Sequence, residues 1–561
     1  MTSTVEDRRK ELLLAAAEEA KRLPLLASGF WFHGDVRDNL YFAMHLYAAC
    51  AEGLLDAAEA ARSEEQAIAM LRSVLSLQNR DKGDAMYGHW PLGLAPDPWQ
   101  AKPHALPVEL AGCLLALFER RYRDSATTET RAALWSEINE ACRHIYEAGA
   151  YRKALIHYGH HDAKYIAQQL IWGARFGDGA LLAEGRQHLE QLLAYINEWG
   201  RWEYGSLPWF WHWMQAFTCA AELAEDEAIA AGLDDVLRFL WSERVLYYWR
   251  GAWVGPHNRV LPHDVPLDRN HLFDYVQFGD FPLPQRFDRL EAAGLLRREA
   301  PVDLRAAAVR AGSEVSEAKV RIPLPPPREQ EGARHAYVYK TAAYALGGMW
   351  ERAEEYANEQ HRWDVTVAGG AQLFFFPPGD GWRAGDPRHA SEHGEVLLHR
   401  GVAAALYPLP ADAASPLLVG CLPQGEWVRR ERLLAGRVGD AWLVVHLLRD
   451  IGTWTERDGW IELTCEGTAH GVVVEALGAA EAAAFGCASA HALADAAAAR
   501  APRFVAEAGD GGGPLAALGV AYASLGGANL ALRTDAAGAL AKRTIDGASV
   551  DWSAYRIHRS E

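Results

Sequence analysis

Trp199 to Trp213 reads W-G-R-W-E-Y-G-S-L-P-W-F-W-H-W. Five tryptophans, a tyrosine, a histidine, an arginine and a glutamate fall in fifteen residues, with Gly200, Gly205 and Pro208 as breakers. The breakers end the helical period of 179–197, and a second helical period begins near 209. The stretch is therefore a loop between helices. Flat rings that stack on apolar sugar faces, beside polar tips that take hydroxyls, suit a carbohydrate site. The competing reading is an aromatic plug between helices.

Outward from this loop the chain alternates. Helices are expected over 5–22, 38–62 and from Ser63, where Gln66 would complete a capping box. Further helices follow near 107–122, 127–148, 162–176, 179–197, 209–223 and 226–243. Within each later pair the turn is short, so the partners form antiparallel hairpins. Between pairs the connections are long: 78–104, 149–162, 199–208 and 248–264. Hairpins set in a ring would bury their inner faces and bring these long loops to one mouth. The loops carry Tyr87, His89 and Trp90; His157, His160 and His161; Trp202, Glu203 and Tyr204; and His257, Asn258 and Arg259. No strict sequence repeat accompanies the spacing.

R-I-P-L-P-P-P-R-E-Q-E-G (321–332) breaks the helical pattern. Beyond it, A-Y-V-Y-K, R-W-D-V-T-V-A, A-Q-L-F-F-F, A-W-L-V-V-H-L-L and W-I-E-L-T-C alternate or run apolar between Gly, Asp and Pro turns. The expected fold is α+β with two domains: an (α/α) toroid of helical hairpins over 1–325 and an antiparallel β-sandwich over 326–561. The Ala-rich 476–500 region admits a short helix.

The 561 residues suit two domains, and the formal net charge of −18 argues against a nucleic-acid partner. It also demands a local basic pocket if the substrate is a polyanion. Seven scattered cysteines without zinc-ligand spacing read as buried thiols in a reducing compartment. No apolar run spans a bilayer, and the N-terminus lacks a secretion signal, so a cytoplasmic location and no membrane partner are expected. A homo-oligomer stays open.

The toroid-then-sandwich outline resembles polysaccharide lyases of the heparinase II/III, alginate-lyase and chondroitin-lyase type. Tyr158-Gly159-His160-His161-Asp162 opens a helix where such lyases carry an Asn/His pair that neutralises a uronate carboxylate. Glu203-Tyr204-Gly205-Ser206-Leu207-Pro208 is similar to their E-Y-N-S-P-like loop. Glu359-Gln360-His361-Arg362-Trp363-Asp364 is similar to a first-sheet strand that points a histidine toward the cleft. His160 stands where Asn is commoner, and Gly205 replaces an expected Asn.

The resemblance implies β-elimination on a uronic-acid-containing glycan. That chemistry needs an offset for the carboxylate charge, a base for the C5 proton and an acid for the leaving oxygen. The catalytic candidates are Tyr204, His161, His257, Arg259 and His361; Arg259 offers a bidentate fork for a carboxylate. The substrate-binding candidates are His160, Trp90, Trp202, Glu203, Trp209, Asn258 and Tyr339. Asp162 is expected to cap its helix beside the two histidines. No cofactor is required, though His389, His393 and His399 with His361 and Asp364 offer a divalent metal site of unremarkable spacing. A glycoside hydrolase using Glu203 with Asp162 or Asp264 is the rival reading, and a non-catalytic carbohydrate-binding protein the third.

Overall fold

The computed structural model describes all residues except 1–2, 126–127, 269–270, 325–327, 329, 331, 352–360, 510–512, 536–537 and 560–561. The chain is α+β: a toroid of helical hairpins is followed by antiparallel sheets.

Among the described residues nine long helices build the ring: α1 (Val5–Arg22), α2 (Val36–Ala51), α3 (Ala57–Ser76), α4 (Ala105–Tyr122), α5 (Glu129–Ala148), α6 (His160–Phe176), α7 (Gly179–Trp199), α8 (Leu207–Leu223) and α9 (Glu227–Tyr247). Helices α2, α4, α6 and α8 are buried along most of their length, whereas α3, α5, α7 and α9 bury one stripe. The first four form the inner wall, α2 against α4, α4 against α6, and α6 against α8. All four enter from a long loop, so their N-termini share one rim.

A short helix, α10 (Leu272–Gln277), closes the ring. Its Phe273 stacks on Trp211 of α8 at 4.8 Å, and α1 packs on both α2 and α10. Buried Arg8 of α1 donates from Nε to the carbonyls of Tyr275 and Val276 at 3.0 and 2.9 Å, and from Nη2 to that of Gln277 at 3.0 Å. One guanidinium thus satisfies carbonyls that a short helix leaves open at its C-terminus.

One expected boundary moves. The second helix ends at Ala51, not Arg62, and Asp56 rather than Ser63 caps the third, its side chain accepting the Glu59 N–H at 3.0 Å. Ser63 lies buried inside α3. The run of alanines and glutamates at 57–65 continues the helical period on both sides, so only the cap residue and Gly53 in its left-handed conformation (φ 69°) mark the turn.

After α11 (Val302–Ala311) the chain turns to strands. The strand Ser316–Pro323 already belongs to a sheet, and the expected boundary at 325/326 falls outside the described residues. The nine-stranded sheet runs in the order Thr453–Glu456, Trp460–Glu466, Leu417–Pro423, Ala371–Phe376, Trp363–Val367, Ala345–Met349, Ala333–Lys340, Ser316–Pro323, Arg556–Ile557. All its pairs are antiparallel except the last. A six-stranded sheet centred on Ala469–Gly478 packs on it through a shared apolar core. A five-stranded sheet covers part of the second one, and the Ala-rich region forms two short helices, α12 (Ala479–Ala484) and α13 (Ala490–Ala498). All seven cysteines are free and six are buried. Among the described residues no helix is long and apolar enough to cross a membrane.

The toroid's last long loop joins the nine-stranded sheet. His257 pairs with His361 and Leu267 with Ala371 as isolated bridges. Trp249 Nε1 donates to the Thr341 carbonyl at 2.8 Å and Lys340 Nζ to that of Val245 at 2.7 Å. These contacts fix the sheet against the rim.

His45, fully buried in α2, donates from Nδ1 to the Tyr41 carbonyl at 2.7 Å and accepts the Gly294 N–H on Nε2 at 3.2 Å. Both nitrogens are used by the neutral ring, and burial pushes its pKa down to about 4. In the unfolded chain the imidazole binds its proton near pH 6.5, so acid favours unfolding. Stability is therefore full above pH 6.5 and falls as pH drops toward 4, by up to roughly 3 kcal/mol from this residue. Denaturant titrations between pH 7 and 4 should show that slope, and His45→Gln should flatten it; an unchanged slope would remove His45 as its source.

Candidate functional site

Helix α6 begins at the rim with His160 and His161, and its N-cap, Gly159, offers no side-chain cap. Asp162, expected to cap the helix, faces the incoming loop instead: its Oδ2 accepts the N–H groups of Ile156, His157 and Tyr158 at 3.3, 3.0 and 2.7 Å. That fold-back leaves the helix end to Glu203 of the next loop. The Glu203 carboxylate accepts the His160 N–H at 2.9 Å, the His160 Nδ1–H at 2.6 Å and the Trp213 Nε1–H at 2.7 Å. A side chain at 159 would collide with it, since a Cβ there would lie 2.7 Å from Oε1. Burial alone would raise the Glu203 carboxyl, but His160, Trp213 and Arg201 together hold it below the ordinary range. Burial pulls the His160 imidazole down despite that partner.

His161 is arranged differently. Its Nδ1 donates to Glu109 of α4 at 2.9 Å, leaving Nε2 as the lone-pair nitrogen on a side chain 44% exposed. Glu109 is buried and also takes the Tyr165 hydroxyl at 3.0 Å and Lys164. Burial pushes its carboxyl up, yet His161 and Lys164 outweigh that and bring it to about 2. Glu109 is therefore an anion that fixes the tautomer of His161. Half-buried Trp209 stacks on His160 at 4.2 Å, with His161 at 4.1 Å on the same ring. Half-buried Trp202 is anchored by its Nε1–H to the His157 carbonyl at 2.6 Å.

Inward of this pair lies a polar floor of which the sequence flagged only Asp264. His212, one turn into α8, has a buried Nδ1 without a hydrogen-bond partner. Burial, then Lys164, Arg289, Arg37 and His160, drive its pKa well below the usual value. Gln215, one turn on, donates to Glu291 at 2.6 Å and leaves its Oε1 unpartnered. Arg289 holds Glu291 at 3.0 Å with Nη1 unpartnered, and Ser206 at the start of α8 leaves both its hydroxyl and the helix end uncapped. Asp264 is fully buried, and burial raises it to about 6. Such orphaned polar atoms are costly unless a polar ligand or solvent meets them.

The third loop touches the sheet. Asn258 donates its amide to the Tyr204 carbonyl at 2.8 Å and its N–H to the Gly205 carbonyl at 2.9 Å. Gly205 (φ 70°) approaches so closely that a Cβ would lie 2.2 Å from the Pro256 oxygen, which explains glycine where the resemblance expects Asn. Tyr204 is buried on the side of Tyr247. His257 and His361 stack at 4.5 Å, both on Asp364 Oδ2, at 3.3 and 3.4 Å. His257 Nδ1 also donates to the Gly255 carbonyl, and its Nε2 lies 3.2 Å from the Gln372 amide nitrogen. Burial would lower His257, but Asp364 raises it; burial and His257 push His361 down to about 4.

His257, His361 and Asp364 are the one set among the described residues with metal-ligating atoms mutually within 4.8 Å. His389, His393 and His399 do not join it; His389 sits by Asp386 at 3.4 Å. Asp364 already receives both imidazoles, and His257 Nδ1 carries the proton given to Gly255, so the donor set is complete as a hydrogen-bonded triad. A cation would have to displace those protons.

The structure thus gathers His160, His161, Glu203, Trp202 and Trp209 on the rim, and joins Asn258 and Tyr204 to His257 and His361 at the sheet. Arg259 is half-buried beside Asn258 with φ 52°. Trp90 is a correction: it is 2% exposed, its Nε1–H tied to the Val74 carbonyl, and it packs as core rather than a sugar platform. Tyr339 is another. It lies near Tyr344, Arg400 and Glu481, while the next residue, Lys340, faces the toroid; the two-residue period of a strand turns Tyr339 away. Of the missed residues, His212 and Gln215 carried a signal: two polar residues three apart in the otherwise apolar first half of α8. Residues Arg37, Arg289 and Glu109 carried none, because long-range packing alone brings them in. Glu359 and Gln360 of the quoted motif lie outside the described residues.

No family model and no curated protein matches the chain. Among solved structures it is similar to a chondroitinase AC lyase (10% identity, 96% of this chain and 93% of that one, TM-score 0.41) and to the Streptomyces coelicolor A3 chondroitin AC lyase in complex with chondroitin sulphate (12%, 94% and 88%, 0.41). It is also similar to a β-L-arabinofuranosidase from Geobacillus stearothermophilus T6 (11%, 85% and 91%, 0.25). The first two of these neighbours are polysaccharide lyases; likenesses this distant leave the function to the residues themselves.

Glu203→Gln should expose the rim's dependence on a carboxylate. An amide presents only one acceptor oxygen to three donors, so the loss should be about 2–4 kcal/mol with the fold retained. Unchanged unfolding midpoints would deny Glu203 its organising role.

Proposed function

We propose that the chain is a carbon–oxygen lyase that cleaves a uronic-acid-containing glycan by β-elimination. The observation that carries this reading is the contrast at the rim. The nearby carboxylates are engaged, while Nε2 of half-exposed His161 and the N-terminus of α8 stay open. The Glu203 carboxylate already meets the end of α6, whereas α8 presents its N-terminus without a side-chain cap beside His160 and His212. Such ends attract an anion, and a uronate carboxylate is one. Trp209 and Trp202 supply flat faces at the same rim for a sugar ring.

In this reading His161 is the base. Its Nδ1–H on Glu109 sets the lone pair on Nε2, and the Glu109 charge supports the imidazolium that forms. The C5 proton passes to Nε2, the C4–O bond breaks, a C4=C5 double bond forms, and the leaving oxygen takes a proton. Tyr204 is assigned the role of that acid, and Arg259, with His160 and Asn258, the carboxylate end of the sugar. His257 and His361 hold the loop that carries Arg259 against the sheet.

A glycoside hydrolase needs two carboxylates facing a cleft, one able to keep its proton. Glu203 and Glu109 are both held below the ordinary range, and Asp162 is bound to three backbone amides. Asp264 has the raised affinity an acid needs, but it is fully buried. This distribution favours elimination.

Incubation with uronate-containing glycans should produce ultraviolet absorbance from the new double bond. His161→Gln should lower kcat by about 10²–10⁴, the range for losing a general base, with KM little changed. Tyr204→Phe should lower kcat without altering unfolding. Reducing ends without ultraviolet absorbance would instead establish hydrolysis, and full turnover in His161→Gln would refute the assigned base.

A further inference from the structure

The opposite end of the ring holds a cavity, about 680 Å³ in volume, bounded by the C-terminal turns of α4 and α6 and by the α8–α9 turn. Arg175 lies fifteen residues beyond His160 along α6, roughly 22 Å away at 1.5 Å per residue. The cavity is thus separate from the rim just described. Its floor is apolar: Ala116, Leu170, Ile171, Ala220 and Ile229. Its edge carries four arginines, Arg120, Arg123, Arg143 and Arg175, in a chain whose net charge is −18.

The four are not equally committed. Arg175 is bound to Glu119 and, at 2.9 Å, to Asn139, so it forms a fixed wall. Among the described residues Arg123 has only loose neighbours, Glu119 at 4.0 Å and Asp124 at 3.7 Å. Arg120 meets Glu225 at 3.5 Å, an ion pair exposed on both sides and worth little. Arg143 is exposed and has no ion-pair or hydrogen-bond partner among the described residues. Asp226, the other acid here, is occupied capping α9 through the Ala228 and Ile229 N–H groups. Basic residues at the ends of α4 and α6 complement the helix dipoles. That accounts for Arg175 and Arg123, but not for an unpaired guanidinium on α5 over an apolar bowl.

We propose that this cavity is a binding site for a small amphipathic anion, a carboxylate or phosphate ester with an apolar body. The body would lie on the Leu170–Ile171 floor, and the anionic group would reach Arg143 and Arg120, whose planar forks match either oxyanion. The volume falls in the range of small-molecule sites. The proposal does not depend on the elimination chemistry at the other rim.

Calorimetric titration of the full chain tests it with four probes: phenyl phosphate, 3-phenylpropionate, 3-phenylpropanol and inorganic phosphate. The expected result is saturable binding of phenyl phosphate, 3-phenylpropionate or both, at least tenfold tighter than the neutral alcohol and than inorganic phosphate. The tighter of the two anions identifies the head group. Arg143→Ala should weaken that binding at least tenfold; this side chain is exposed and unpaired, so folding should persist. Ala174→Trp, which fills the bowl from an exposed lining position without altering charge, should abolish it. Absence of saturation by either amphipathic anion would overturn the proposal. So would binding that both variants leave intact, because the ligand would then sit elsewhere.

Discussion

The inner helices of the ring are buried on nearly every side, and that constraint orders everything else. Helix α4 buries residues on every face, from Pro107 to Tyr122, and α8 does the same from Leu207 to Ala221. Neither can face water, so each needs an outer partner and two inner neighbours. Short turns after α4, α6 and α8 supply the partners, and the inner helices then run parallel. Parallel helices gather their positive ends on one rim. Asp35 and His104 cap two of those ends with their own side chains, whereas Gly159 and Ser206 do not. The two ends lie next to each other because α6 packs on α8; Glu203 meets the first from the neighbouring loop, and the second stays open.

A chain of contacts carries position from that rim to the sheet. Glu203 ties the start of α6 to α8 through His160 and Trp213. The next two residues, Tyr204 and Gly205, accept from Asn258, and His257 pairs with His361 on the nine-stranded sheet. Buried Arg201 secures the same loop from behind, bound to Glu243 at 2.7 Å and to the Glu203 carbonyl at 2.6 Å. Three loops distant in sequence are thereby held as one surface by about half a dozen polar contacts. Each is shielded from water, where such bonds count for more than at the surface.

The hairpins, the long loops and the change to strands were legible because they rest on period and punctuation, both local properties. The α2–α3 turn was not, since alanine and glutamate continue the helical pattern across it and the deciding cue is Asp56. The rim histidines were legible as a cluster, but their roles were not. His160 and His161 are adjacent in sequence and look interchangeable, yet one is locked to Glu203 and the other is set by Glu109. Trp90 and Trp209 look equally suited to a sugar. Only packing distinguishes them, since Trp90 follows a loop that dives into the core between α3 and α4. Tyr339 failed for a simpler reason: a strand residue's side depends on register, which is fixed by partners far along the chain.

An acidic protein that holds an anion must concentrate positive charge where water is scarce. The carboxylates of this chain reach its interior mostly in company. Glu109 lies with Lys164 and His161, Glu203 with His160, Glu243 with Arg201, and Asp274 with Arg244. A buried acid already matched by a base contributes little field beyond its own pair. What remains unmatched near the rim are the α8 helix end, the unpartnered Nη1 of Arg289 and the imidazole of His212, kept neutral by burial. Imidazoles that are neutral before an anion arrives can take up a proton when it does, since a nearby negative charge restores the affinity that burial removed. The same burial that lowers His212 thus makes its charge conditional on a neighbouring anion, a dependence set by the packing of the ring itself.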